Sequence, residues 1–250
     1  MQTSTTVNNI LRKSAILVFW LAVWQILSLL INKQLLIPSP ISTLEALIKL
    51  CKTTEFYYSV LVSLLRIVIG FTLGIVFGFL GGILSSKLKI FKEVTAPVLQ
   101  LIKAVPVASF IILAFFWFES NYLPIFISFL MVLPIIWSNV ETSLYGIDQK
   151  YIELGKVYKL SNFKIFFEIK LPFIMPSFIS ASLTALGFAW KSGIAAEVIC
   201  KPIYSLGKML EQSKTHLEIA EVFALTAVVA ILSLLLEIAL KKSLRRFCND

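Results

Sequence analysis

The sequence predicts an all-α, polytopic membrane protein of about six transmembrane helices. Three observations carry that prediction: apolar runs of 17 to 20 residues recur along nearly the whole chain, 58% of its 250 residues are hydrophobic against 15% charged, and the basic residues gather between the runs. A helix needs about 20 apolar residues to cross a hydrocarbon core of about 30 Å. A water-soluble domain of this length would instead need a polar shell around one core.

The first predicted span is Ala15 to Ile31, preceded by Arg12 and Lys13. It exceeds the 7–15 residues of a signal-peptide core and lacks a small-x-small cleavage pattern, so it is expected to be retained. Residues 32–58 read as an external loop, with Pro38 and Pro40 ahead of an amphipathic surface helix from Ser42 to Cys51. The second span is Ile67 to Ser86, with Arg66 expected to snorkel to the outer interface. The third, Val94 to Phe118, is interrupted by Pro97 and Pro106, and the fourth is Tyr122 to Val140. A charged stretch from Glu141 to Lys170 is the one substantial soluble loop between spans. The fifth span is Phe173 to Cys200 and the sixth Val222 to Leu240. Residues 1–250 thus read as a single membrane domain with a cytoplasmic loop at 141–172 inside it.

The formal net charge of +9 follows from topology. With the N-terminus inside, the cytoplasmic segments hold 14 basic residues and the external segments six, the bias of the positive-inside rule, which places both termini in the cytoplasm. The basic residues form no aromatic-bearing soluble face, so no nucleic-acid partner is expected. Cys51, Cys200, Cys248 and His216 show no metal-ligand spacing, so neither a metal site nor a Cys/His nucleophile is expected.

In the second span Gly70, Gly74, Gly78 and Gly82 repeat at spacing four and so share one helix face. Such a groove lets another helix backbone approach closely, and a solute-lining stripe is the other reading. No glycine here follows a strand and no GxxxxGK[ST] occurs, so the chain is expected to bind no ATP itself.

The stretch Tyr151 to Pro176 predicts two short helices, Tyr151 to about Lys159 and Phe163 to Ile169, with Ser161 and Asn162 as turn and cap candidates and Leu171-Pro172 ending the second. A loop this structured, basic and apolar on one face suits docking against a protein. Here the sequence resembles the permeases of ABC importers that carry the EAA loop, E-A-A, three residues, G, nine residues, I-x-L-P. Glu153-Leu154-Gly155, three residues, Lys159, nine residues and Ile169-Lys170-Leu171-Pro172 keep that spacing. Leu154 and Gly155 stand where the pattern has alanines, and Lys159 where it has glycine, so the turn is expected to shift to Ser161-Asn162.

The resemblance is greatest to the subfamily for nitrate, aliphatic sulfonates and taurine, which also includes importers of thiamine-precursor pyrimidines. Ile37-Pro38-Ser39-Pro40, Ser63-Leu64-Leu65-Arg66 leading to Gly70-Phe71, Gln100-Leu101-Ile102-Lys103 before Pro106, and Ala189-Trp190 with Ala195-Ala196-Glu197 carry it. It implies a type I importer permease fold in a bacterial inner membrane. It also implies a second copy as partner, an extracytoplasmic solute-binding protein, and cytoplasmic ATPase subunits that hold ATP and Mg. This chain would bind no cofactor of its own. The coupling helix would fall on Glu153 through Asn162, including Tyr158, Leu160 and Ser161.

Lys191 and Glu197 are the intramembrane charges of the fifth span. A lone ammonium in lipid costs about 3 kcal/mol or more, so Lys191 is expected to face the bundle interior, either drawing an anionic solute with Trp190 nearby or pairing with another helix or subunit. Glu197 reads as a gate, a dimer contact or a binding-protein contact. Lys103 could line the inner half or snorkel to the cytoplasmic interface. No paired carboxylates or activated nucleophile suggest chemistry on a substrate.

Overall fold

The computed structural model describes residues 2–31, 33 and 35–249, which form helices and short turns with no strand among them. The side chains of Lys13, Arg245, Arg246 and Cys248 lie outside the described residues. The elements are α1 (Gln2–Ile31), α2 (Pro40–Leu50), α3 (Thr54–Lys87), α4 (Lys89–Ala104), α5 (Val107–Ala114), α6 (Leu123–Tyr145), α7 (Gln149–Val157), α8 (Asn162–Ile165), a π-helical turn (Phe166–Lys170), α9 (Leu171–Cys200), α10 (Leu206–Thr215) and α11 (Ile219–Asn249). Among the described residues, five helices are long and apolar enough to cross a membrane, or six if the bent pair α4–α5 is one span.

The core is a three-helix seam in which α6 lies between α3 and α9. In α6, 56% of the most apolar window is buried, against 11% in α11 and none in α1. The glycine face of α3 explains the close approach. A Cβ at Gly74 would stand 2.5 Å from Val132 Cβ, one at Gly78 2.9 Å from Ile136 Cβ, and one at Gly82 2.8 Å from the Trp137 carbonyl oxygen, while one at Gly70 would strike the Ile125 carbonyl. The four glycines are filled by α6 and line no open passage. On the other side of α6, Ser128 donates to the Ala189 carbonyl of α9 at 3.2 Å, and Gly193 leaves room for Ile67 and Ser128.

Helix α1 buries none of its apolar window against the rest of the chain. It is tied down by Trp24, whose indole donates to the Pro38 carbonyl at 3.0 Å and stacks on Phe223, and by Ser28, which donates to the Ile37 carbonyl. Helix α2 begins two residues before the expected stretch: Ser39 accepts from the Ser42 amide at 3.1 Å and Pro40 occupies the first turn, where its missing N–H costs nothing.

Three expected boundaries change. Helix α3 begins at Thr54, so residues 54–66 are helical rather than loop. Their inward face carries Phe56, Ser59, Ser63 and Arg66, whose polarity hides the span from a hydropathy reading. The third span is not one straight helix. Pro97 sits inside α4 without ending it, but Val105 before Pro106 is extended at ψ 133°, as a residue preceding proline prefers, and α5 leaves α4 at 105°. Finally, Leu171-Pro172 ends nothing. The π-helical turn, closed by the Leu171 amide donating to the Phe166 carbonyl, sets Pro172 in the first turn of α9, so helical backbone runs from Asn162 to Cys200.

Candidate docking loop and translocation face

Between α6 and α9 the chain forms a loop that caps itself. Asp148 accepts from the Lys150 amide at 3.0 Å and starts α7. Helix α7 ends in a Schellman turn: the Leu160 amide donates to the Gly155 carbonyl and the Lys159 amide to the Lys156 carbonyl, both at 2.9 Å. The residue that must be left-handed is Lys159, at φ 53°. The turn therefore does not shift to Ser161-Asn162; a lysine takes the glycine conformation at the expected position. Ser161 then caps α8 by accepting from the Lys164 amide at 3.3 Å.

Gly155 is the buried residue of α7, seated on Ile165 and Ile169, whose nearest atoms would lie 3.1 to 3.2 Å from an added Cβ. That contact folds α7 back onto the start of the long helical run. Glu153, Leu154, Tyr158 and Lys159 are exposed, as are Val157 and Phe163; Tyr158 keeps 76% of its surface and Phe163 71%. Phe163 packs on Phe167 with ring centroids 4.5 Å apart. Exposed apolar side chains among Lys150, Lys156, Lys159 and Lys164, where the chain turns from α7 into the long helical run, form the kind of patch that marks a protein contact.

At the far end of the bundle the structure assembles a site that the sequence reading scattered. Glu197 on α9 is fully buried. Its carboxylate accepts from Ser63 at 2.7 Å and from the Gly207 amide at 3.2 Å, and stands 3.6 Å from Arg66 Nη1. Ser63 in turn accepts from the Leu206 amide, so a carboxylate and a hydroxyl from the spans satisfy the first amides of α10. Arg66 also donates to the Tyr204 and Ile203 carbonyls and to Asn121 Oδ1, at 2.9 to 3.0 Å. It does not snorkel outward; it is buried and fastens the turn between α9 and α10 and the turn before α6. Glu197, enclosed in this knot, offers no surface to a gate or partner.

Trp190 is likewise enclosed: its indole donates to the Val229 carbonyl of α11 at 3.0 Å, so it does not stand beside Lys191. Lys191 itself points away from the core of this chain. Thr184, Phe188, Lys191, Ala195 and Ile199 form an exposed stripe along α9, and Lys191 makes no ion pair among the described residues. On α4, Lys103 is also exposed and donates to Ser138 of α6 at 2.7 Å. The pairing of Arg66 with Glu197 was the functional geometry the sequence reading missed. Its signal was two opposite charges at span ends, each requiring a partner in lipid.

A bundle of helices long and apolar enough to cross a membrane, with a self-capped loop between α6 and α9 and exposed cations in or beside the spans, defines a multi-pass membrane protein. The family described as "Binding-protein-dependent transport system inner membrane component" matches residues 70–247, and the chain belongs to it. The nitrate import permease protein of Synechocystis sp. is 26% identical over 92% of this chain and 86% of its own length. The taurine transport system permease protein of Escherichia coli is 24% identical over 89% and 83%. The bicarbonate transport system permease protein of Synechocystis sp. is 27% identical over 72% of this chain, which spans 65% of that relative. Among solved structures, the inward-facing MetNI methionine ABC transporter superposes with a TM-score of 0.64 at 16% identity, covering 77% of this chain and 95% of its own. An amino acid ABC transporter gives 0.58 at 14% identity, covering 77% and 92%. These two share the fold: the chain has the type I importer permease architecture.

Proposed function

We propose that this chain is the permease of an ATP-driven importer that moves a small anion, and that it works as a symmetric pair with one pathway between two copies. The observation that carries the reading is the loop at residues 148–165. It is ordered by its own caps yet presents Leu154, Val157, Tyr158 and Phe163 to water, which suits a knob that seats in a cleft of a cytoplasmic ATPase. ATP and Mg belong to that partner, and the chain alone hydrolyses nothing. The whole chain, residues 1–250, acts as one membrane domain in a bacterial inner membrane. Both termini lie in the cytoplasm, consistent with 14 basic residues on that side against six outside. An extracytoplasmic binding protein delivers the solute.

The anion reading is supported by Lys191 and Lys103, exposed cations in or beside spans, where an ammonium is costly unless water, a partner or a ligand meets it. Relatives named for nitrate, taurine and bicarbonate fit the same class. Phe188 and Thr184, on the stripe with Lys191, supply an apolar and a hydroxyl contact beside the charge. ATP binding closes the ATPases, draws the two docking loops together and turns the pathway between inward and outward states.

Charge reversal at Glu153, exposed on α7, tests the docking. In the assembled transporter Glu153→Lys is expected to lower coupled ATP hydrolysis by roughly tenfold while the unfolding temperature of the purified permease stays unchanged. Full coupling in that variant would count decisively against the loop as the docking element.

A further inference from the structure

Where the bundle meets the docking loop, the ends of α3 and α6 and the start of α4 converge on one lysine. Lys92 Nζ lies 2.9 Å from Glu141 Oε1 and 4.5 Å from the centroid of the Tyr145 ring. Phe91 beside it stacks on Trp137, ring centroids 5.7 Å apart and planes within 10°. The Trp137 indole donates to Ser85 Oγ at 2.9 Å, and the Tyr145 hydroxyl donates to the Ser85 carbonyl at 3.4 Å. Tyr145 is the last residue of α6 and stands three positions before Asp148, the cap of α7. Lys92 therefore grips the residue at which the chain leaves the membrane for the loop.

The two ways in which α6 is held differ in kind. Against α3 it is interlocked through glycines with no side chain to rearrange, so that pair moves as one body. Against α4 the polar side-chain contacts are the Lys92 cluster at one end and the Lys103–Ser138 hydrogen bond at the other. An ion pair with a cation–π contact is weaker and can reorient. Beyond Lys103 comes the break at Pro106 and the 105° bend into α5. Helix α4 is thus attached at its base to the end of the loop, and beyond the bend α5 seats Ile111 and Ala114 against Leu123 and Ile127 of α6 and Ala196 and Cys200 of α9, so a displacement of α4 is carried to that packing.

We infer that Lys92 is a positioning residue: through Glu141 and Tyr145 it passes displacement of the docking loop to the broken helix α4–α5. This rests on the docking reading above. The experiment uses the assembled transporter in proteoliposomes, with Cys51, Cys200 and Cys248 replaced and Ser109→Cys introduced at an exposed position of α5. The readout is the rate at which a water-soluble thiol reagent modifies that cysteine with and without ATP, beside ATP hydrolysis in the same vesicles.

With Lys92 intact, ATP is expected to change the modification rate by at least about fivefold. Lys92→Met is expected to cut that change below about twofold with hydrolysis retained, and Lys92→Arg, which keeps both the charge and the ring contact, to restore it. Tyr145→Leu, which removes the ring and leaves the ion pair, reads the same change if Lys92→Met does not assemble. A full ATP-dependent change in Lys92→Met overturns the proposal. So does parallel loss of hydrolysis and modification, which marks a residue needed only for folding, and so does an intact background that hydrolyses ATP without any change at Ser109→Cys. Failure of the ATPase to copurify with the intact chain overturns instead the docking reading beneath it.

Discussion

The two ends of this bundle handle polar groups in opposite ways. At one end a charged pair is drawn inside, with Glu197 fully buried and Arg66 bound to three carbonyl or amide oxygens. At the other end the loop between α6 and α9 satisfies its own backbone with Asp148, Ser161 and a Schellman turn, and leaves its side chains unspent on the surface. One end spends its polar groups on holding helices together; the other keeps them available.

The largest expected effect breaks the end held by Arg66 and Glu197. Arg66→Met leaves the Glu197 carboxylate without its cation in a dry site, and removing one member of a buried pair costs about 3–5 kcal/mol. The permease should lose most of its folded yield, and its unfolding temperature in detergent should drop sharply. Replacing both, Arg66→Met with Glu197→Leu, should recover a large part of that loss, because no charge is then stranded. If the double variant is as unstable as the single, the carbonyl contacts of Arg66 rather than the ion pair hold the knot. Comparable substitutions on the exposed docking loop should leave unfolding unchanged.

How far the sequence foretold these two ends follows from what hydropathy can see. The apolar runs announced the spans and the loop between the fourth and fifth. The first turns of α3 were invisible because Ser59, Ser63 and Arg66 face inward, so a buried face reads as polar. Pro106 was legible as an interruption, but nothing in the residues gives the 105° between α4 and α5. The motif spacing located the loop between α6 and α9, and its glycine position kept the left-handed turn although it holds Lys159. Which way Lys191 and Trp190 point depends on helix rotation, and neighbours four residues apart in α9 do not reveal it.

Lys159 sharpens the contrast at a smaller scale. A non-glycine residue in the left-handed region costs about 1–2 kcal/mol, partly offset because glycine is freer in the unfolded chain. Lys159→Gly should therefore stabilise the loop by about 0.5–1 kcal/mol, visible as slower amide exchange in residues 155–160. The side chain is exposed, so no packing is lost. If coupled ATP hydrolysis falls while the loop stiffens, the lysine charge serves the docking surface and the strain is tolerated for that contact.

The smallest effect lies at the turn between α9 and α10, fastened from within by Arg66 and also braced at its surface. Lys201, left-handed at φ 50°, reaches Glu211 Oε1 at 2.7 Å, and Thr215 donates to the same oxygen at 3.2 Å. The hydrogen bond from Lys201, with the Thr215 hydroxyl and the positive charge of Lys201 and Lys214 behind it, holds the Glu211 carboxyl below its usual 4.5. A carboxyl depressed in the folded state contributes stability that is fully present above its unfolded pKa and is lost as pH falls through the folded value. The brace should thus be intact at neutral pH and fade from about pH 4.5 downward. Glu211→Gln removes this ionisation, so its unfolding temperature should change less steeply across that window than that of the parent chain. Since the pair is solvent-exposed, the difference should be small and shrink further in high salt; equal slopes for the two proteins would mean that the turn is held from within by Arg66 alone.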